Sequence, residues 1–387
     1  MRFTQSIAYR YHPISHASIW NVQSIAEAPL GRYIRKEDRN QAARDMRKRP
    51  TLKDIARATG VHPSTVSRAL DTSSRSSLSE EVVERVREAA RTLGYRPNRV
   101  AFSLRKQKTM TVGVMIPDIT NMIFPPIVRG IESVMEAAGY ASILVNTDSQ
   151  PRREERLVEI LQERGVDGII HTAVLRSDPG IVEAARQGLP VVTLNRRIEE
   201  TDIPYVINDE EDGIRLVFEL LRRQGHRRIA HLAGPAELST GRLRLKAFQA
   251  MVDEAGLGAD DTMITEAERF DEEEGRRCAA EIHARASGTT AVLCANDRLA
   301  LGALSFFQSV GRSCPKDISI TGFNDMPLLE LIPPGLTTVR IQQFEAGAIA
   351  ARLLLSLIER PDESVPQATI LPVGLVERGS VAPPARP

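Results

Sequence analysis

Three short segments between residues 51 and 93 carry apolar residues at the three- and four-residue spacing of one helix face. Thr51 can cap the first helix with Asp54 as its acidic partner, and Gly60 permits a left-handed turn. Pro63 suits the first position of the second helix, and Ser79 can cap the third. This pattern predicts a helix-turn-helix domain over residues 50–95. The apolar positions are Leu52, Ile55 and Ala56, then Val66, Ala69 and Leu70, then Val82, Val83, Val86, Ala89, Ala90 and Leu93.

Beyond Thr109 short apolar strands alternate with helical stretches, which predicts parallel sheets with helices on both faces. About 270 residues are more than one such sheet comfortably carries, so we expect two lobes. Ligands of such folds bind beyond the carboxyl ends of the strands. The predicted strands are 112–116, 143–145, 168–170, 191–194, 229–232, 291–294 and 318–321, and the clearest helices are 127–138, 154–163, 213–224, 241–255 and 298–309.

Residues 1–45 show no sustained helical or strand period and contain Trp20, the single tryptophan. The regular pattern starts abruptly at Thr51, just after Met46 and a basic stretch. We therefore expect that residues 1–49 are an extension outside the fold, with Met46 as the physiological start. A genuine disordered arm is the alternative.

Composition narrows the class of protein. The chain has 387 residues, of which 42% are hydrophobic and 26% charged, as expected for two or three globular domains. Its apolar runs are too short to span a membrane, and its N-terminus lacks the apolar region of a secretory signal. The three cysteines, Cys278, Cys294 and Cys314, fit neither a disulfide framework nor a zinc cluster. We expect a cytoplasmic protein that uses no cofactor or metal and does not bind membranes.

Charge is unevenly distributed although the net charge is only +1. Residues 46–108 contain 15 Lys and Arg against 6 Asp and Glu, whereas residues 109–387 contain 29 against 40. A basic segment joined to an acidic body is typical of a DNA-binding head on a larger core, because the acidic body repels DNA.

The run from Thr51 to Leu70, TLKDIARATGVHPSTVSRAL, resembles the DNA-reading signature of the lac-repressor family. The run from Tyr95 to Leu104, YRPNRVAFSL, is similar to the hinge helix of that family. The body follows the family as far as Gly-Phe-Asn at 322–324 and Val-Glu-Arg-Gly-Ser at 376–380. The resemblance covers about residues 50–381. It implies a helix-turn-helix head (50–95), a hinge helix and linker (96–108) and a two-lobed α/β core of periplasmic-binding-protein type (109–381).

The predicted second helix places its early residues at base edges in the major groove. Arg68 can form two hydrogen bonds to guanine, whereas Pro63 offers only apolar contact. Ser67 can read a base, or it can contact a phosphate or the local backbone, and both interpretations stay open. The expected DNA contacts of the head are Thr51, Leu52, His62, Pro63, Ser64, Thr65, Ser67 and Arg68.

The hinge helix predicted after Pro97 is too short to persist alone in water. The resemblance implies that it orders on DNA beside its dimer mate, with Leu104 wedged into the minor groove. The alternative is that Leu104 is an ordinary core residue. The expected hinge contacts are Asn98, Arg99, Ala101 and Leu104.

A small-molecule effector pocket is expected at the strand ends of both lobes, with Arg244 as the family's ligand arginine and Phe124 as an aromatic wall. Hydroxyl-rich ligands need such Arg, Asn and Asp groups beside an aromatic platform. The candidates are Asp118, Asn121, Phe124, Asn195, Arg196, Thr240, Arg244, Phe270, Asn296, Asp297 and Asn324.

Two departures from the family bear on the ligand. Asn324 and Asn195 stand where aspartate is common, so the pocket has two carboxylates fewer and can tolerate an anionic group. This favours a sugar acid or sugar phosphate as effector. The purine-binding branch fits poorly, because Leu238 replaces an arginine there and Arg196 an aromatic residue.

The function expected overall is that of a transcriptional regulator, with repression favoured, that binds a palindromic operator as a homodimer. One lobe should contain residues 109–208 and 339–367, and the other 209–338 and 368–381. An enzyme is disfavoured, since no Ser-His-Asp, Cys-His or metal-ligand spacing is visible and 234–241 lacks the lysine of a P-loop. A free-standing solute-binding protein is the remaining alternative, which the basic head argues against.

Overall fold

The computed structural model describes residues 50–70, 78–95 and 108–385. The chain divides into two compact units, one on each side of the bond between Pro97 and Asn98. These two units are the head and the core. The hinge candidates Asn98, Arg99, Ala101 and Leu104 lie outside the described residues, as do residues 1–49.

The head is formed by three helices around a small apolar core. Thr51 and Asp54 form the predicted capping box, in which the Thr51 amide lies 2.8 Å from Asp54 Oδ2. Gly60 ends the first helix in the left-handed conformation (φ 69°). Ile55 and Val66 are fully buried at the centre of the head. The helices are α1 (Leu52–Thr59), α2 (Pro63–Leu70) and α3 (Glu80–Thr92).

The core alternates strands and helices along most of its length, as the sequence predicts. Its elements in chain order are β1 (Thr111–Ile116), α4 (Phe124–Ala137), β2 (Ala141–Asn146), α5 (Pro151–Glu163), β3 (Ile169–His171), α6 (Pro179–Arg186), β4 (Val191–Leu194), β5 (Tyr205–Asn208), α7 (Glu210–Arg223), β6 (Ile229–Ala233), α8 (Ser239–Glu254), β7 (Thr262–Glu266), α9 (Glu272–Arg285), β8 (Ala291–Cys294), α10 (Asp297–Ser309), β9 (Ser319–Thr321), β10 (Thr338–Arg340), α11 (Gln343–Glu359), β11 (Ala368–Leu371) and β12 (Gly374–Val376).

The first lobe is built on a parallel six-stranded sheet with the order β11-β5-β4-β3-β1-β2. Successive residues of a strand point to opposite faces, and both faces are covered. Val114 and Ile116 of β1 belong to one apolar cluster together with residues of α4 and α11. Met115, between them, joins a second cluster formed with α5 and α6. A strand buried on both faces has no alternating pattern, which is why β1 reads as a continuous apolar run.

The second lobe contains a parallel four-stranded sheet, β7-β6-β8-β9, and an antiparallel pair, β10-β12. On one face of this sheet, Leu293 of β8 packs with α7 and α8 around Phe248. On the other face, Val292 packs with Cys278 of α9 and Phe307 of α10. Each lobe is therefore a helix-sheet-helix sandwich, and one apolar cluster, which includes Val114 and Val292, extends through both lobes.

Two of the expected lobe boundaries are wrong. Strand β11, which we assigned to the second lobe, pairs with β5 and forms the edge of the first sheet. Strand β10, most of which we assigned to the first lobe, pairs with β12 in the second lobe. The chain therefore changes lobes at 209, between 341 and 343, and at 372–373. Short edge strands carry little local signal, because their place depends on a partner distant in sequence.

Helices α4 and α11 pack closely because each has a glycine at the contact. A Cβ atom added to Gly130 would lie 2.0 Å from the carbonyl oxygen of Phe344, and one added to Gly347 would lie 2.1 Å from that of Ile127. The obstructing atoms belong to backbone, which cannot rotate away as a side chain can. The contact therefore holds α11 against the first lobe after the chain has crossed back from the second.

No helix within the described residues combines the length and apolar character needed to cross a bilayer.

We predict that Gly130→Ala lowers the free energy of unfolding by about 1–3 kcal/mol, because the helix backbones must separate to admit the methyl group. Urea denaturation measures this change. Gly258→Ala is the matched control, since nothing lies within 4 Å of the position its Cβ would occupy. Equal stabilities of the two variants would show that α4 and α11 can move apart freely.

Candidate functional site

The effector candidates of both lobes lie where parallel strands end. Asp118 follows β1 and Arg196 follows β4 in the first lobe, while Asn296 follows β8 and Asn324 follows β9 in the second. The carboxyl ends of parallel strands form one edge of a sheet, and ligands of such folds bind beyond that edge. The region between the two edges of the core is named the cleft. Polar contacts join the lobes on two sides of this cleft.

On one side, Arg298 of α10 bridges the lobes. Its Nη1 donates to Asp118 Oδ2 of the first lobe over 2.8 Å, and its Nη2 donates to Glu272 Oε2 of the second lobe over 2.7 Å. Burial pushes the pKa of Asp118 upward, but the hydrogen bonds from Thr120 and Arg298 outweigh it and lower that pKa. Asp118 thus stays ionised and is engaged by protein groups.

On the other side, the loop after β3 contacts the loop before α8. The Arg176 amide donates to Glu237 O over 2.9 Å, and its Nη1 donates to Ala236 O over 3.1 Å. Glu199 holds the same guanidinium through two bonds of 2.9 and 2.7 Å. The Arg197 amide also reaches Ser239 Oγ of the second lobe over 3.0 Å. Polar contacts therefore join the two lobes on both sides.

A buried ion pair lies at the base of the second lobe. Arg244 Nε donates to Glu210 Oε2 over 2.5 Å, Nη1 donates to Ala295 O over 2.5 Å, and the guanidinium stacks on Phe323 at 3.8 Å. Both charged side chains are 2% exposed. Burial raises the pKa of Glu210, while the charge of Arg244 opposes that shift. The pair is neutral as a unit, so neither charge is left unpaired in the interior.

Glu210 is the residue that sequence reasoning missed. It stands in the first turn of α7 directly after Asp209, the N-cap, and two further acidic residues follow it. Acidic residues are common in first turns because they favour the helix dipole, so the position carries no local mark of burial. Glu210 adds a buried carboxylate to the site, which the replacements at Asn195 and Asn324 had led us to expect to be less acidic than in the family.

Asp297 and Asn324 organise the second lobe near the crossing strands. Asp297 is fully buried, with Oδ1 accepting from Thr338 Oγ1 at 2.5 Å and Oδ2 accepting from the Met326 amide at 2.9 Å. Burial raises the pKa of Asp297 to about 7. Asn324 lies at φ 120°, and its carbonyl accepts from Gln343 Nε2, the first residue of α11, at 3.0 Å. Asp297 therefore anchors β10 to α10. Asn324 contacts the start of α11, where the chain has returned to the first lobe.

The remaining candidates lie in both lobes, at strand ends and helix starts. Asn296 caps α10 by accepting from the Leu299 amide at 2.8 Å, so part of its side chain is already used. Phe124 is 2% exposed at the start of α4, and Phe270 packs against Gly234. Arg196 donates Nη1 to Ala173 O over 3.0 Å, and burial lowers its pKa to about 10. Asn121, Asn195 and Thr240 are also buried at these strand ends and helix starts.

Several buried polar atoms near the cleft have no hydrogen-bond partner among the described residues. The acceptors Asn208 Oδ1, Glu210 Oε1 and Asn324 Oδ1 are of this kind, as are the donors Arg196 Nε and Arg197 Nε. A buried polar group without a partner is costly, and such groups in folded proteins usually pair with water or a ligand. Three acceptors and two donors match the mixed donor and acceptor character of hydroxyl groups.

In the head, α2 presents an exposed polar surface. Arg68, Ser64 and His62 are exposed, and His62 Nδ1 lies 2.8 Å from Ser64 Oγ. Val66 and Ala69 of the same helix are buried. The helix thus turns one side to the core of the head and the other to solvent. The half-buried DNA candidates are Leu52, Pro63, Thr65 and Ser67, and Thr51 is exposed.

A helix-turn-helix head followed by a two-lobed α/β core with a polar cleft defines the class of DNA-binding regulators that carry a small-molecule-binding domain. The family of bacterial regulatory proteins named lacI matches residues 51–98, and the periplasmic binding protein-like domain matches residues 218–381. The chain is 33% identical to the ribose operon repressor of Halalkalibacterium halodurans, with 80% of this chain and 91% of that protein covered. It is 32% identical to the transcriptional repressor PurR of Vibrio atlanticus, with 86% and 98% covered.

Solved structures agree with these relatives. A lac repressor dimer bound to operator superposes with a TM-score of 0.76 at 29% identity, covering 87% of this chain and 100% of that one. A lacI-family regulator of Enterococcus faecium with bound ribose superposes with a TM-score of 0.63 at 32% identity, covering 70% and 99%. The chain belongs to the lacI family of bacterial regulatory proteins, and it is a DNA-binding transcription regulator with an effector-binding core.

We predict that Glu210→Ala lowers the free energy of unfolding by about 3–5 kcal/mol, because it leaves the Arg244 charge buried and unpaired. Urea denaturation measures this change. The neighbouring Glu211→Ala, at an exposed position of the same helix turn, should have almost no effect. Combining Glu210→Leu with Arg244→Met should recover most of the lost stability. If Glu210→Ala is as stable as the wild type and the double variant is no more stable than Glu210→Ala, the pair does not determine stability.

Proposed function

We propose that the protein is a repressor that binds a palindromic operator as a homodimer and releases or retains it according to a hydroxyl-rich small molecule in the cleft. The observation that carries the DNA half is the exposed Arg68 side of α2, whose opposite side is locked by Val66 and Ala69. The relatives named as operon repressors support the same role.

In this proposal α2 enters the major groove and reads bases from its exposed side. The planar guanidinium of Arg68 matches the O6 and N7 acceptors of guanine. Thr51, at the N-terminus of α1, and the exposed Ser64 and His62 are placed to contact phosphates and base edges. Leu104, in the hinge, is proposed to wedge into the minor groove at the operator centre.

The dimer is proposed because a single head of this size buries too little surface for the usual affinity of an operator complex. Two heads related by a twofold axis read two half-sites, which makes the operator a palindrome. A solved structure of the lac repressor is a dimer bound to operator, which supports the proposal.

For the effector we propose a neutral sugar in preference to a sugar acid. Arg244 is the natural partner for an anion, but its Nε and Nη1 already bind Glu210 and Ala295. The free acceptors Glu210 Oε1, Asn208 Oδ1 and Asn324 Oδ1 require donors, which a hydroxyl has and a carboxylate lacks. Placing a second anion beside buried Glu210 would be unfavourable. This reverses our earlier preference for an anionic ligand.

The DNA-binding activity is tested by fluorescence anisotropy with DNA from the promoter of the protein's own gene. We expect tight, salt-dependent binding that prefers a palindromic site over scrambled DNA of the same length. Equal affinity for both sequences at physiological salt would contradict sequence-specific regulation.

We predict that Arg68→Ala weakens binding to the cognate site by about 5- to 150-fold, corresponding to the roughly 1–3 kcal/mol of one bidentate base contact. Competition against single-base variants should show relaxed preference at one base pair in each half-site. Arg91→Ala is the control, because Arg91 on α3 is already paired with Glu84 and Glu88. A uniform loss over all sequences would assign Arg68 to the phosphates.

We predict that neutral sugars, screened by thermal shift against sugar acids and sugar phosphates, raise the melting temperature of the core. Asn324→Gly should abolish this shift without unfolding the protein, because glycine accepts the φ of 120° more readily than asparagine. Leu328→Gly is the matched control, since Leu328 also has a positive φ (73°) but is exposed. Stabilisation by acids alone would overturn the neutral-ligand proposal.

A further inference from the structure

Three ionisable side chains that no DNA or effector role uses meet at the carboxyl end of the central strand β3. Glu154 lies in the first turn of α5, His171 ends β3, and Asp178 is the N-cap of α6. One oxygen or nitrogen atom of each lies within 4.8 Å of the others. Glu154 and His171 are buried and Asp178 is partly buried. The three therefore share one small, poorly solvated space.

The hydrogen bonds of His171 argue against a metal ion in this space. Its Nδ1 accepts a hydrogen bond from the Ala173 amide at 3.1 Å, so the ring proton of the neutral imidazole is on Nε2. That Nε2 points toward Glu154 and lies 3.1 Å from its Oε1. A metal bound at Nε2 would require the proton to move to Nδ1, where it would face another N–H group. Although Nε2 is this close to Glu154, it has no hydrogen-bond partner among the described residues.

Two carboxyl groups at this separation in a buried space cannot both be charged at little cost. Asp178 Oδ1 caps α6 by accepting from the Ile181 amide at 3.2 Å, and Asp178 Oδ2 has no hydrogen-bond partner among the described residues. Arg196, the nearby cation, directs its Nη1 to Ala173 O. We propose that Asp178 and Glu154 share one proton, and that its loss loosens the loop through which the first lobe holds the second.

The charges facing the pair are consistent with one bound proton. They come from Glu154 and Glu155 on α5, neutral His171 on β3, Asp178 on α6 and Arg196 after β4. With Asp178 protonated, Glu154 is balanced by Arg196. Burial, followed by the hydrogen bond and the charge of Glu154, raises the pKa of Asp178 to about 6. Burial also raises the pKa of Glu154 and lowers that of His171 to about 4.

The two carboxyl groups lie beside the loop through which the first lobe contacts the second. The loop between His171 and Asp178 contains Arg176, whose amide and guanidinium bind Glu237 O and Ala236 O of the other lobe. Loss of the shared proton puts two adjacent carboxylates at the end of this loop, and their repulsion favours its displacement. The closed contact at Arg176 should therefore weaken as the pH rises through about 6. This behaviour requires neither DNA nor effector.

The sign of the pH dependence follows from linkage. A pKa raised from the ordinary value of 3.8 to about 6 means that the folded protein binds this proton more tightly than the unfolded chain. The stability it contributes is full below about pH 4, is lost as the pH rises through 6, and is absent above. Between pH 5 and 7 the unfolding equilibrium constant should rise by about tenfold from this group.

The first experiment compares melting temperatures of the full chain and the Asp178→Asn variant between pH 5 and 7.5. Asparagine caps helices as well as aspartate does and cannot ionise. From pH 5 to pH 7 the melting temperature of the wild type should fall by about 3–4 °C relative to that of the variant. This follows because roughly 1 kcal/mol moves the melting temperature of such a domain by 2–4 °C. Glu154→Gln should flatten the profile in the same way, which guards against a folding defect in either variant.

Asp271→Asn is the matched control, because Asp271 caps α9 by the same bond, to the Glu274 amide at 2.9 Å, and the buried Glu274 carboxylate is paired with Arg277. Its profile should run parallel to the wild type. If Asp178→Asn also runs parallel, no proton is shared and the proposal fails. If ZnCl2 alone raises the wild-type melting temperature and His171→Asn removes that rise, the cluster is a metal site and the proposal also fails.

The second experiment follows the loop itself by hydrogen exchange, with rates corrected for the intrinsic effect of pH. Amides of residues 172–178 and of Glu199 should lose protection from pH 5.5 to 7.5 in the wild type and keep it in Asp178→Asn. Protection that is independent of pH in both proteins would show that the shared proton does not affect the contact between the lobes, and the proposal would fail. Neither result depends on operator or effector binding, so failure of the proposed function would leave this test intact.

Discussion

The core depends on the buried pair formed by Arg244 and Glu210. Glu210 is among the first residues after the chain leaves the first lobe, and Arg244 belongs to α8. Their contact, closed by Ala295 O and the face of Phe323, joins the crossing point to the floor of the second lobe. Because neither charge tolerates burial alone, the pair fixes the position of α7 relative to α8 and to the end of β8. The cleft is shaped around that arrangement.

The two sides of the cleft are held by weaker and more exposed contacts. Arg298 bridges to Asp118 on one side, and Arg176 reaches Ala236 and Glu237 on the other. Partly exposed ion pairs contribute little each, so these contacts can open and re-form without loss of either lobe. A firmly held second lobe with weaker contacts between the lobes suits a protein in which ligand binding changes the relative position of the two lobes.

The sequence predicted the repeating elements better than the connections between them. The helices of the head were located by capping residues, and most parallel strands by continuous apolar runs, since both are local signals. Strands β5, β7, β10, β11 and β12 were not identified, and helices α6, α9 and α11 are not among the clearest predicted helices. Most of these strands are short or lie at sheet edges, where burial is partial. The expected lobe boundaries were wrong for the same reason, because pairing of β11 with β5 joins residues more than 160 positions apart.

For the site, the sequence by itself determined which residue types stand at the strand ends, and through the motif from Thr51 to Leu70 it determined the family. Only the tertiary structure decided which of those residues are already paired. Arg244 was predicted to be a ligand arginine, but its partner Glu210 has the local pattern of an ordinary first-turn acid. Asp178 caps α6, and only the folded chain brings Glu154 of α5 close to it. Burial and proximity create these charge interactions, and both are properties of the folded chain that no local pattern contains.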